Sequence, residues 1–241
     1  MMSDVIRQLA PTGKLRVGIA YAPNPTPVFA AKTASGEYRG VPRDIGEALA
    51  KSLGLPVDLT VAATTGELTE AIVSGVIDIG FMPEDAERRK RLDFSPPYFL
   101  IESTYLVTEV SGFQTMAEVD QAGVTVVGID GSTTMRASQR SLTAAKMVTA
   151  KSIDEAMAVL KEGGAQAFAL THDSLPALQG RLPGSRILDG AFQRTGVSIA
   201  LRKDLPDALG YLESFIQSAK QDGTIRRAFD QAGLNRLSIC P

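Results

Sequence analysis

The chain has one cysteine, one histidine and no tryptophan in 241 residues. A lone cysteine, Cys240, excludes an internal disulfide framework and a multi-cysteine metal cluster. A lone histidine, His172, excludes a histidine-rich metal site and leaves any Ser-His-Asp or Cys-His triad dependent on that one residue. It reads as a solvated or hydrogen-bonded loop residue rather than a base. No metal and no cofactor are expected. Neither sign of charge is in excess: Lys+Arg 25 against Asp+Glu 27 leaves a net charge of -2, which does not suit a polyanion, so nucleic acid is not an expected partner. Charged or glycine-rich breaks interrupt every apolar run short of the roughly 18 to 20 residues that a membrane span needs. The N-terminal Met1 to Pro11 has no basic region followed by an apolar one, so no leader is visible; either one was trimmed or the protein stays in the cytoplasm. Low-complexity segments, heptads and fixed-period repeats are missing too. What is present, 44% hydrophobic and 22% charged residues, is enough for a sizeable core in one or two globular domains.

The apolar period alternates between two and about 3.6, as strands and helices do when they follow one another. A first series predicts strand 14–20, a loop broken by prolines, helix 40–53 stopped by Gly54, strand 57–61, helix 67–73 stopped by Gly75, and strand 77–81. A second series follows Ser95-Pro96-Pro97: strand 103–108, a short helix near Met116, strand 125–129, a polar loop 130–134 and a helix. Ser152-Ile153-Asp154-Glu155 has the capping-box pattern of a helix start, and strand 167–170, a short helix near Ser174 and strand 187–188 complete the series. Strand 196–202 and helices 206–220 and 224–232 close the chain. This is an α/β protein, and two series of similar size suggest two lobes.

The most informative stretch runs from Ser74 to Tyr98. A buried strand ends in a loop, a short helical turn supplies Arg88, Arg89, Lys90 and Arg91, and Phe94-Ser95-Pro96-Pro97-Tyr98 returns to the core. Strand ends in open α/β sheets are where ligands bind. Most of such a basic run is expected to be a solvated face paired with Glu84, Asp85 and Glu87, with one cation set apart.

This stretch resembles the bacterial family 3 solute-binding proteins, the amino-acid receptors of ABC importers, in its Ser74-Gly75, Asp78, Glu87-Arg88, Leu92-Asp93-Phe94-Ser95 and Pro97-Tyr98. Asp85 stands where the family has threonine. Leu15-Arg16-Val17-Gly18, Gly36 to Val41, Asp44-Ile45, the strand and loop Val126 to Thr134, and Ala219 to Ile225 extend the likeness over most of the chain, from Lys14 to Ala232. The resemblance implies two α/β lobes of the type II periplasmic-binding-protein kind, 1–102 with 196–241 and 103–195, joined by two crossover strands that form a hinge. A small carboxylate-bearing ligand would be held between them. Arg88 would hold its carboxylate, which suits a planar guanidinium fork that is always charged. Ser132 and Thr133 would meet the same carboxylate from a helix start, or simply cap that helix; the two roles can coexist.

Departures from the pattern bear on the substrate. Tyr21 and Asn24 stand in for an acidic residue and an aromatic after the first strand, Thr65 for an aromatic wall, and Pro83, which has no N–H, for a hydroxyl-bearing residue after Met82. Met82 is counted among the ligand contacts. An ammonium would be received by Asp173 or Glu102, whose alternative roles are helix N-cap and exposed charge. The resemblance implies a binding protein rather than an enzyme, a monomer with ABC transporter membrane subunits as possible partners, and a periplasmic location. The alternatives are an enzyme on the same scaffold resembling cyclohexadienyl dehydratase, with Glu102 or Asp173 as acid catalyst, and a cytoplasmic ligand receptor.

Overall fold

The computed structural model describes residues 2–21, 26, 28–235 and 237–240. The chain divides into two compact units, Met1–Leu100 with Gly196–Pro241 and Ile101–Thr195. In chain order the first carries α1 (Met2–Leu9), β1 (Leu15–Ala20), the hairpin β2 (Ala31–Lys32) and β3 (Tyr38–Arg39), α2 (Val41–Leu53), β4 (Val57–Ala62), α3 (Thr65–Val73), β5 (Ile79–Pro83), α4 (Ala86–Arg89) and β6 (Leu92–Phe94). The chain passes into the second unit within β7 (Phe99–Val107), continues through α5 (Met116–Val119), β8 (Thr125–Ile129), α6 (Thr133–Ser141), β9 (Lys146–Ala150), α7 (Ile153–Lys161), β10 (Ala167–Thr171), α8 (Leu175–Gln179) and β11 (Arg186–Ile187), and returns within β12 (Gln193–Arg202). The helices α9 (Pro206–Gln221) and α10 (Thr224–Gln231) complete the first unit.

In the first unit β1 lies parallel between β4 and β5, with Leu15 opposite Val57 and Val17 opposite Ile79. The later part of β12 runs antiparallel to β5, with Val197 opposite Pro83, and also pairs with β6. Leu68 and Ile72 of α3 share one core cluster with Ala20, Ile77, Met82, Leu92, Phe94 and Ala200. Gly18 faces this helix: a Cβ there would collide with the side-chain ends of Ile77 and Leu68, so a larger residue fits only if those side chains move. Helix α2 stops at Gly54, which adopts the left-handed conformation and returns its N–H to Ala50 and Lys51 carbonyls. Helix α1 buries Val5 and Leu9, and the Gln8 side chain accepts the backbone N–H of Ala208 at 2.9 Å, satisfying one of the donors at the start of α9.

In the second unit β8 lies parallel between β10 and β9, and β10 is antiparallel to β7. Both faces of this sheet are covered. Leu106, Val127 and Phe168 enter a cluster with α7 and α8, while their neighbours Tyr105, Val107, Val126, Ala167 and Ala169 enter another with Val119 and Leu188. That is the alternation a pleated strand imposes.

Several sequence-based boundaries shift. The strand expected from Ile77 starts at Ile79, because Asp78 turns its carboxylate to Arg16. Thr133 and Thr134, expected in the loop after β8, are the first residues of α6. Strand β12 starts three residues earlier than expected, at Gln193. The elements α1, β2, β3, β6 and β9 were not expected at all.

Candidate ligand-binding site

In the first unit β1, β4 and β5 are parallel, so their C-terminal ends share one edge of the sheet. Tyr21 follows β1, Thr65 opens α3 three residues after β4, Met82 lies near the end of β5, and Arg88 sits on α4 just beyond it. The placement of Arg88 follows from local chemistry. Asp85 caps α4 by accepting the backbone N–H of Arg88 at 2.8 Å, which turns the chain back over the strand end. Arg88 as a residue is 3% exposed, and its guanidinium donates from Nη1 to the Pro83 carbonyl at 2.7 Å and from Nη2 to the Thr65 hydroxyl at 2.8 Å. A guanidinium is buried at bearable cost only when its N–H groups are bonded, and these two contacts meet part of that demand.

The other three cations of the run are exposed and ion-paired: Arg89 with Glu84, Lys90 with Glu87 at 2.7 Å, and Arg91 with Glu70 at 2.6 Å. One basic residue is thus set apart from the solvated face. Glu84 and Glu87 pair as expected, and the third partner differs, since Asp85 serves as the helix cap and Glu70 takes Arg91. Glu70 is held below the usual carboxylate range by the hydrogen bond from Arg91.

Met82 is wholly buried, and the Thr69 hydroxyl lies 3.6 Å from its Sδ. Tyr21 is half-buried, donates its N–H to Ala62 at 2.8 Å, and meets Tyr38 edge to face at 5.6 Å between ring centres. Asn24 lies outside the described residues. Pro83, expected in a loop, is the last residue of β5, where its carbonyl becomes an acceptor for Arg88. Thr65, where the resemblance led to the expectation of an aromatic, is the other acceptor. In the sequence Thr65 stands out only as a departure from the family pattern; a hydroxyl at a helix start is the signal that marks its role.

In the second unit the ends of the parallel strands β8 and β10 and the start of the antiparallel β7 share one edge. Ser132 and Thr133 follow β8, the turn from Thr171 to Ser174 follows β10, and Glu102 and Ser103 lie near the start of β7. Ser132 caps α6: its Oγ accepts from Met135 N at 3.0 Å and donates to Ile129 O at 2.8 Å, and its own N–H also goes to Ile129 O. The N–H groups of Thr133 and Thr134 remain at the helix start for partners outside the helix. Both residues are buried, and Thr134 Oγ1 lies 3.3 Å from Ser103 Oγ.

Glu102 accepts from Arg194 Nε at 2.6 Å, and with its side chain 43% exposed it is a partly exposed charge that is also ion-paired. Asp173 is not the helix cap that the sequence suggested. The cap position of α8 is Ser174, which makes no side-chain cap and whose hydroxyl lies 2.9 Å from Thr171 Oγ1. His172 is exposed and donates its backbone N–H to Glu102 O at 2.8 Å, which holds the turn beside the start of β7. Among the described residues no group of three or more His, Cys, Asp or Glu could hold a metal ion. A cavity of about 680 Å³ in the first unit, lined by residues such as Ala48, Tyr211 and Phe215 of α2 and α9, contains none of the candidates.

Every described candidate therefore lies, within its own unit, at the edge where parallel strands end, the position at which open α/β sheets bind ligands. The sequence profile of the bacterial extracellular solute-binding proteins, family 3, matches residues 15–234. The chain belongs to that family. Its α/β fold is shared with the type II periplasmic binding proteins. A crystal structure of a mutant of ArgBP from T. maritima aligns with a TM-score of 0.78 and 25% identity over 97% of this chain and 99% of that one. A glutamine-binding protein of Geobacillus stearothermophilus is 27% identical over 207 residues, 84% of this chain and 78% of the relative. A cyclohexadienyl dehydratase of Pseudomonas aeruginosa is 29% identical over 124 residues, 50% of this chain and 46% of the enzyme. Among the described residues no helix of this solute-binding protein is long and apolar enough to cross a membrane.

Proposed function

We propose that this solute-binding protein captures a small carboxylate-bearing, amino-acid-like solute for ABC-type import. Arg88 of the first unit would hold the carboxylate, and the N–H groups of Thr133 and Thr134 at the start of α6 are the donors in the second unit that suit an anion. The observation that carries this reading is the buried Arg88 guanidinium, held at the strand-end edge while its three basic neighbours pair on the surface. The relatives named for glutamine and ArgBP support the substrate class. Ser132 has both its donors committed, so its part is to set the start of α6. Tyr21, Met82 and Asn24 would complete the first unit's share of the contacts. Asp173 or Glu102 would receive an ammonium, Glu102 by exchanging Arg194 for it. The protein would act as a monomer outside the cytoplasm, delivering its solute to transporter membrane subunits.

The experiment is a thermal-shift and calorimetric screen of L-glutamine, L-arginine, L-lysine and L-cysteine on the wild type and on Arg88→Ala. Two charge-assisted hydrogen bonds at roughly 1.5–3 kcal/mol each put the expected loss at a hundredfold or more in affinity, with far-UV dichroism unchanged. Binding to Arg88→Ala at wild-type strength would remove the assignment. A dehydratase-like activity is the second reading, favoured by the partial match to that enzyme. An acid catalyst needs a desolvated carboxyl, and the Glu102 side chain is 43% exposed and ion-paired. Aromatic product from prephenate or arogenate would establish it.

A further inference from the structure

We propose that Thr65 is a positioning residue for the anchor: its hydroxyl accepts from Arg88 Nη2 at 2.8 Å while the Pro83 carbonyl accepts from Nη1 at 2.7 Å. The inference rests on the reading of Arg88 as the carboxylate anchor. Two bonds from two terminal nitrogens, to acceptors on α3 and β5, fix the plane of the guanidinium. The torsions of a long side chain are then ordered before a solute arrives, so less freedom is lost on binding.

Thr65 can do this because it is itself held. The preceding residue, Thr64, caps α3 by accepting Glu67 N at 3.1 Å, and the Glu67 carboxylate reaches back to Ala63 N at 2.9 Å. The Thr69 hydroxyl donates to the Thr65 carbonyl at 2.8 Å and lies against Met82 Sδ, which ties the first turn of α3 to β5. The branched Thr65 side chain has little χ1 freedom of its own. An acceptor supported in this way directs a second group more accurately than one carried on a loop. Only the hydroxyl carries the effect, so valine, with nearly the same shape, removes it and serine restores it.

The test is calorimetry on wild type, Thr65→Val, Thr65→Ser and Arg88→Ala with L-glutamine, L-arginine and L-lysine, each beside its α-carboxamide. Thr65→Val should weaken the amino acids about tenfold and the carboxamides much less, narrowing the preference for the acid, and Thr65→Ser should restore both to within about threefold. Urea unfolding of Thr65→Val close to wild type would exclude a general loss of structure. Equal losses for acid and carboxamide, equal losses in the valine and serine variants, or no loss in the valine variant would each overturn the inference. If Arg88→Ala loses binding while Thr65→Val does not, the positioning role alone falls. If Arg88→Ala binds normally, or no amino acid binds the wild type, the functional reading falls first.

Discussion

Replacing Asp78 with alanine should cost about 3 kcal/mol of stability. The Asp78 carboxylate is 3% exposed and accepts the backbone N–H of Arg16 at 2.9 Å, Nε at 3.0 Å and Nη2 at 2.5 Å. The same hydrogen bonding raises the Arg16 pKa above its ordinary value. Removing one partner of a buried pair costs roughly 3–5 kcal/mol, because the other is left charged and uncompensated. Arg16 is 18% exposed and keeps Nη1 on the Gly75 and Val76 carbonyls at 2.8 and 3.0 Å, which places the loss at the lower end. The measurement is urea unfolding followed by far-UV dichroism on Asp78→Ala, Arg16→Met and the double variant. In the double variant no charge is stranded, so it should lose less than the sum of the single losses. A single-variant loss below about 1 kcal/mol, or strict additivity, would show that the pair contributes nothing as a unit.

Other outcomes follow from the geometry. Asp120 accepts the N–H groups of Thr143, Ala144 and Ala145 and the Thr143 hydroxyl, and these bonds hold its pKa far below the usual 3.8, the Ala145 N–H contributing most. A lowered carboxyl pKa gives stabilisation that is full above the unfolded value and is lost as the pH falls through the folded one. The stability gap between wild type and Asp120→Ala should therefore be widest above pH 5 and shrink below about pH 4; a gap independent of pH would contradict this. Gly18→Ala should destabilise by roughly 1–3 kcal/mol through overpacking against Ile77 and Leu68, read by the same unfolding assay, and a neutral effect would mean those side-chain ends can move aside.

Where a signal is local, the sequence is a good guide. Gly54 marks the end of α2, Ser152 caps α7 by accepting Glu155 N at 3.1 Å, and the apolar run from Thr125 to Ile129 is β8. Strand β9 was illegible because only Ala150 of its five residues is buried, leaving no alternation to read. Helix α1 is short, and its apolar face acquires meaning only against α9, some two hundred residues later. At the site, Arg88 was legible because its neighbours Glu87 and Asp93 to Ser95 lie beside it in the chain. The partnership of Arg88 with Thr65 was not, since 23 residues separate them and only the parallel pairing of β4, β1 and β5 brings their ends together. Asp173 shows the opposite error: a plausible capping residue one place too early, displaced by Ser174.

The strand β12 returns late in the chain yet supplies the antiparallel neighbour of β5 through Val197 to Leu201. A ribosome therefore releases β1, β4 and β5 long before that flank can be closed, whereas every strand that Ile101–Thr195 pairs within itself has already been made. Vectorial synthesis thus favours early folding of the inserted unit, with the N-terminal half-sheet waiting open-edged for the last segment. During that interval the β5 edge is the part of the nascent polypeptide most in need of protection from stray strand pairing.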